Sequence, residues 1–374
     1  MFTHLQALAL ILLAAAARGQ TAPTLKQAYQ GIFRIGAALN PAQFEERDPR
    51  GNPIVAAQFN TISPENALKW QSVHPRPDAY TFDAADRYVA FGEKYGMFIV
   101  GHCLVWHSQT PQWVFQNGQG EPLTREALLD RMRDHIRTVV GRYKGRIAGW
   151  DVVNEALNED GSMRPSPWYR IIGEDYLVKA FQFAHEADPR AELYYNDYSL
   201  ENEPKRNGAV DLIRKLKVQG VPVTAIGLQG HDRMDWPSPE QQDATIAAFA
   251  ALGIKVNITE LDIDVLPRAT RQPTADVSLN AAPKAELNPY ADGLPESVQQ
   301  ALAKRYAELF AVFLKHKDAI TRVTFWGVAD GDSWLNGWPV RGRTNYPLLF
   351  DRRGQPKPAF DAVVKVPREG ASVQ

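Results

Sequence analysis

The stretch GWDVVNEALNED, residues 149–160, ends an apolar run in Asn154-Glu155, and KVNITELDI, residues 255–263, carries Glu260 and Asp262. Two carboxylic acids brought to one cleft are what cleavage of a glycosidic bond requires. One protonates the leaving oxygen, and the other either attacks the anomeric carbon or activates water. A glutamate taken alone is far more often a solvated or ion-paired surface residue, so the neighbours decide. Side chains alternate along a strand, and Glu260 and Asp262 therefore point the same way. A histidine such as His231 could donate one ring N–H to each, holding Glu260 ionised and aimed. Asn154, beside Glu155, supplies an amide able to grip a sugar hydroxyl as the transition state forms.

These residues sit at the ends of short apolar runs that read as buried parallel strands. Eight such runs cover 34–39, 58–63, 98–106, 147–155, 192–197, 225–231, 255–263 and 322–330. Amphipathic stretches of helical length lie between them, 125–143 and 295–316 among them. Eight βα units predict an α/β protein with a (β/α)8 TIM-barrel fold, whereas a doubly wound open sheet would suit five or six strands. Each run ends in polar or aromatic chemistry: Glu65-Asn66, His102, Trp106-His107, Asn154-Glu155, Asn196-Asp197, Gln229 and His231, Glu260 and Asp262, and Trp326. In a barrel these are the C-terminal strand ends, where such enzymes gather their sites. A purely structural protein has no reason to collect polar residues at one end of every strand. Residues 266–293, rich in Pro and Ala, predict a rim loop that overhangs the mouth.

A formal net charge of −1 argues against a nucleic-acid partner, since such binders carry a basic excess. The apolar core from Leu8 to Ala17 is too short to span a bilayer and suits a signal peptide cleaved after Ala17-Arg18-Gly19, although the n-region has no Lys or Arg. The expected organisation is a signal peptide over 1–19, a catalytic barrel over 20–365 and a disordered tail over 366–374, in an exported protein without a membrane span. Cys103 is the single cysteine, which excludes an intrachain disulfide. His102, His107 and His231 with Asp197 or Glu260 would also make a metal set. The surplus of Asn, Gln and Trp at the same strand ends suits hydroxyls better than a cation, so neither metal nor cofactor is expected.

The motifs GHCLVWHSQTPQW, WDVVNEA, YYNDY, GLQGH, VNITELDI and FWGVADGDSW, in this order from about residue 25 to 365, resemble the series found in family 10 glycoside hydrolases, the retaining endo-β-1,4-xylanases. The resemblance implies that Glu155 is the acid/base and Glu260 the nucleophile, oriented by His231. It further implies that Glu65, Asn66 and Lys69 of ENALKW hold the glycone sugars. By the same resemblance His102, Trp106, Gln109, Asn154 and Gln229 hold the sugar at the cleavage point, and Trp326 and Trp334 form its aromatic floor and wall. Cys103 stands where a Thr is usual, and PDAY, residues 77–80, lacks the usual glycine before its aromatic.

The implied partner is xylan or a xylo-oligosaccharide, acted on by a monomer with no carbohydrate-binding module. Like charges close together cannot both ionise cheaply, so the pair is expected to share one proton kept on Glu155. A retaining enzyme is expected to hold the carboxyls about 5–5.5 Å apart, an inverting one roughly 6.5–9.5 Å. Two rivals remain open at this point. One is a related retaining β-1,4-glycanase acting on glucan or mannan; the other is a glycan-binding barrel without turnover, which would be expected to lack one of the carboxylates.

Overall fold

The apolar runs form strands buried on both faces, as parallel strands covered by helices must be. A computed structural model describes residues 23–269 and 274–371. Eight strands make the ring: β1 Arg34–Leu39, β2 Thr61–Pro64, β3 Phe98–Trp106, β4 Gly149–Asn154, β5 Glu192–Asp197, β6 Ala225–Leu228, β7 Lys255–Asp264 and β8 Ile320–Phe325. All neighbours pair in parallel, from Gly36↔Thr61 between β1 and β2 round to Arg34↔Arg322 between β1 and β8. The β6–β7 pairing, with Ala225 opposite Lys255, completes a closed (β/α)8 barrel. The predicted α/β class and TIM barrel are therefore what the chain adopts.

Close packing round the ring depends on small residues at particular places. A Cβ on Gly101 would lie 2.1 Å from the Trp150 ring, and one on Gly149 would lie 2.1 Å from the Tyr194 hydroxyl. Neither neighbour has room to retreat inside a packed barrel. Among the helices, Arg125–Arg142 starts at the Thr124 cap, whose hydroxyl accepts from Ala127 N. Glu296–Lys315 starts just after Pro295.

Several expected boundaries are corrected. The second strand begins at Thr61 rather than 58, because Gln58 closes the helix Gly51–Gln58. β6 stops at Leu228, since Gly230 turns with φ 74°, and His231–Arg233 then forms a separate short strand beside the end of β7. β4 ends before Glu155, whose φ is 57°. β8 spans 320–325 instead of 322–330, because Gly327 leaves the extended region with φ 134°.

The disordered tail expected over 366–374 is also corrected: the helix Pro358–Ala371 runs through it, and residues 372–374 lie outside the described residues. Phe360, Val363, Val364 and Val366 bury one face of this helix. Pro367 cannot donate to the carbonyl four residues back, that of Val363. The Tyr29 hydroxyl does so instead, at 2.8 Å, tying the start of the barrel to its last helix. The expected signal peptide over 1–19 lies outside the described residues. Among the described residues no helix is long and apolar enough to cross a membrane.

Candidate active site

Glu155 is the first residue beyond β4, and its left-handed backbone turns the side chain into the barrel mouth. A non-glycine residue in that conformation is uncommon and is found where function over-determines the backbone. Its Oε1 accepts from Gln229 Nε2 at 3.1 Å and Asn154 Nδ2 at 3.2 Å, while Oε2 accepts from Trp106 Nε1 at 2.8 Å. Burial pushes its pKa up to about 7, with the Asp197 carboxylate as the second cause. Glu260 also raises it, but less than either, and the Gln229 and Trp106 donors oppose the rise. The proton thus stays on Glu155 as expected from the sequence, although burial rather than the partner acid is the leading reason.

Glu260, on β7, is equally buried and yet held below the usual carboxylate range. Burial works against its ionisation, but the His231 hydrogen bond, the His102 and His231 charges and the Asn196 amide together outweigh it. His231 Nε2 meets Glu260 Oε2 at 3.2 Å and His231 Nδ1 meets Asp262 Oδ1 at 3.0 Å, the bridging role anticipated from the strand alternation. Burial alone would depress the His231 pKa, but Asp262 and Glu260 raise it to about 10, so the ring is an imidazolium. Burial pushes the Asp262 carboxyl upward. Both its oxygens nevertheless face N–H donors, the second being Trp334 Nε1 at 2.8 Å, which fits the ionised form.

Asn196, at the end of β5, joins the two acids. Its amide nitrogen donates to Glu260 Oε1 at 2.8 Å and to Asn154 Oδ1 at 2.9 Å, and its oxygen accepts from Thr259 Oγ1 at 2.7 Å. His102 is fixed from behind, with Nδ1 2.9 Å from Asp151 Oδ2. At the β2 and β3 ends, Lys69 Nζ donates to Asn66 Oδ1 at 3.0 Å and to Gln109 Oε1 at 2.7 Å, and it sits 4.9 Å from the Trp106 ring centroid. Burial lowers the Lys69 pKa, and burial together with Asp332 raises Glu65 to about 7.

Every residue expected to be catalytic or to hold substrate lines one cleft, and Ala275 and Val277 of the rim loop line it too. Sequence reasoning missed Asn196 and Asp151 as site residues, although Asn196 had shown itself as a strand-end amide. Asp197, named from the sequence only as a strand-end residue and a possible metal ligand, lifts Glu155 by its charge while Lys205 Nζ compensates it at 3.0 Å. Among the described residues no group of three or more His, Cys, Asp or Glu is arranged to hold a metal ion. The nitrogens of His231 are both taken by carboxylates, and so is Nδ1 of His102.

A barrel mouth that presents one protonated and one ionised glutamate, ringed by amides and indoles, has the parts of a glycoside hydrolase. The model for glycosyl hydrolase family 10 matches residues 24–366, and the chain belongs to that family. Endo-1,4-beta-xylanase A of Xylanibacter ruminicola is 46% identical over 359 residues, which cover 96% of this chain and 97% of that protein. A solved endoxylanase of the family, retrieved from a sugarcane soil metagenome, is 50% identical with a TM-score of 0.89, covering 91% of this chain and 99% of its own. The intracellular xylanase of Thermoanaerobacterium saccharolyticum, solved as a mutant with xylotriose, is 36% identical with a TM-score of 0.79, covering 91% of this chain and 98% of its own.

Proposed function

We infer that this chain is an endo-1,4-β-xylanase that hydrolyses internal bonds of xylan with retention of configuration. The observation that carries the reading is the opposed charge state of two buried acids in one cleft, Glu155 raised to about 7 and Glu260 lowered. Relatives at 40–46% identity that are named as xylanases support xylan as the polymer.

In the first half-reaction Glu260 attacks the anomeric carbon while Glu155 gives its proton to the departing glycosidic oxygen, leaving a glycosyl ester and an ionised Glu155. Esterification removes the Glu260 charge, so the Glu155 pKa falls, but only in part, because burial and Asp197 remain. Glu155 then takes a proton from water as that water's oxygen displaces Glu260 from the same carbon. Asn154, held by Asn196, presents its amide to the 2-hydroxyl through both steps.

The test is reducing-sugar release from xylan, with Glu260→Ala expected to abolish it. Glu155→Ala is expected to lose about 10²–10⁴-fold on xylan but far less on an aryl xyloside whose leaving group needs no proton. Equal losses of Glu155→Ala on both substrates would remove its acid role. Faster cleavage of cello- than xylo-oligosaccharides of equal length would transfer the reading to a glucanase.

Export through residues 1–19 is part of the proposal, supported by the apolar stretch Leu8–Ala17 and checked by N-terminal sequencing of the mature protein. A monomer is supported by the scatter of the large exposed apolar side chains among the described residues, Tyr95, Val218 and Val277. Light scattering decides it.

A further inference from the structure

The segment 274–281 of the rim loop touches the loops that follow two different strands. Its Asp276 carbonyl accepts from Trp338 Nε1 at 3.1 Å, and Ala281 N donates to Pro339 O at 2.8 Å, both partners lying on the loop after β8. Its Asp276 carboxylate stands 3.7 Å from Arg164 Nη1, on the loop after β4. In a ring of eight strands β4 and β8 are diametrically opposed, so the two loops that meet at Asp276 come from opposite sides of the mouth. On either side of Asp276, Ala275 and Val277 line the same cleft as Glu155 and Glu260.

The two moorings differ in strength. On the β8 side the loop is further secured by Asn288 Oδ1 accepting from Thr344 N at 2.9 Å and Tyr290 O accepting from the Tyr346 hydroxyl at 2.8 Å. On the β4 side the Arg164–Asp276 ion pair is too long for a direct hydrogen bond, and the carboxylate side chain is 27% exposed. Arg164 itself is rigid: Nε donates to Glu155 O at 3.0 Å and Nη2 to the Tyr198 hydroxyl at 2.8 Å. One guanidinium therefore holds the backbone of the acid/base and offers the segment its far anchor.

We propose that residues 274–281 are a strap over the point of cleavage, latched by Asp276 on Arg164. The strap makes the cleft selective for xylose chains bare of O2 and O3 substituents, and for short chains over interior stretches of a polymer. The proposal rests on the xylanase reading. An unsubstituted β-1,4-xylose chain is a narrow ribbon, whereas each side group adds a sugar's width that a roofed cleft excludes. A free chain end threads beneath a closed strap, but an interior stretch must wait for the latch to open. A partly exposed ion pair holds weakly and is screened by salt, so the latch is a reversible one.

The experiment measures kcat/KM of the full chain, Asp276→Ala and Asp276→Asn on linear xylohexaose and on arabinose- and glucuronate-substituted xylan, at low and high salt. The ratio of substituted polymer to hexamer is expected to rise about fivefold in Asp276→Ala, the most that a pair of this exposure sustains. High salt is expected to bring the wild type toward the variant and to leave the variant's ratio where it was. A ratio that stays constant across variants and salt, while xylohexaose is still split, overturns the strap. Should Asp276→Ala fail to fold, a salt-independent ratio in the wild type overturns it equally. Absence of product from both substrates with the wild type would instead defeat the activity reading, and the strap with it.

Discussion

Replacing His231 with Asn removes an imidazolium that donates to Glu260 at 3.2 Å and to Asp262 at 3.0 Å. A hydrogen bond to a charged group contributes about 1.5–3 kcal/mol. If that sum is the share of Glu260's ionised state that His231 supports, the loss corresponds to a rise of about 1–2 pKa units. Glu260 must be ionised to attack, so the acid limb of kcat/KM should move upward by the same about 1–2 units, with a fall of about 10- to 100-fold at pH below the original limb and a smaller one at the former optimum. The alkaline limb reports loss of the Glu155 proton near 7 and should stay, because His231 is not among the causes of that shift. The assay is initial-rate hydrolysis of xylohexaose, whose sugar leaving group needs the Glu155 proton, from about pH 3 to about pH 9, with Asp262→Asn as an intermediate case. An acid limb that does not move, or a fall of less than about threefold at pH below it, would refute the assignment of His231 as the group that keeps Glu260 charged.

The same histidine makes stability depend on alkali: its folded pKa of about 10 exceeds the unfolded 6.5. The stabilisation is complete below pH 6.5 and is lost as pH climbs through about 10, so urea midpoints should decline over that window in the wild type and far less in His231→Asn. Asn196→Ala unties Glu260 from Asn154 and should lower kcat/KM about 10- to 100-fold on xylo-oligosaccharides. A change under about twofold would show that the amide bridges the acids without tuning them. Lys357 is buried with Nζ 3.0 Å from Asp330 and 2.7 Å from Leu348 O. Lys357→Met strands that carboxylate, so urea unfolding should report a loss of about 3–5 kcal/mol, with much of it regained in the double variant Lys357→Met/Asp330→Leu.

The chemistry was readable in the sequence because each functional side chain ends its own apolar run, and a closed barrel of parallel strands brings all such ends to one mouth. Glu155, Glu260, Asn154 and Gln229 needed no more than that to be found together. Asn196 needed more. Its two partners lie 42 and 64 residues away, and only the register of β5 between β4 and β6 shows that one amide reaches both. The weight of Asp197 in the charge state of Glu155 was hidden for a similar reason, since proximity across strands has no local signature. Strand ends were misjudged where polar or aromatic residues continue an apolar pattern past a backbone turn, as at Gly230 and Gly327. The last helix was missed because Pro367 reads as a terminator, and nothing near it in sequence hints that Tyr29 takes up the carbonyl that Pro367 leaves without its usual donor.

That tyrosine contact has a practical reach. It knots the two described extremities of the chain together at the floor of the barrel, among the residues that begin β1, β7 and β8. Substrate arrives at the other pole. A bead, a fibre-seeking module or a second enzyme grafted near either extremity would hang beneath the catalyst and leave its opening unobstructed. New ends cut in an exposed helix-to-strand turn on that same underside, with the old ones spliced, should yield a permuted enzyme with its working face intact.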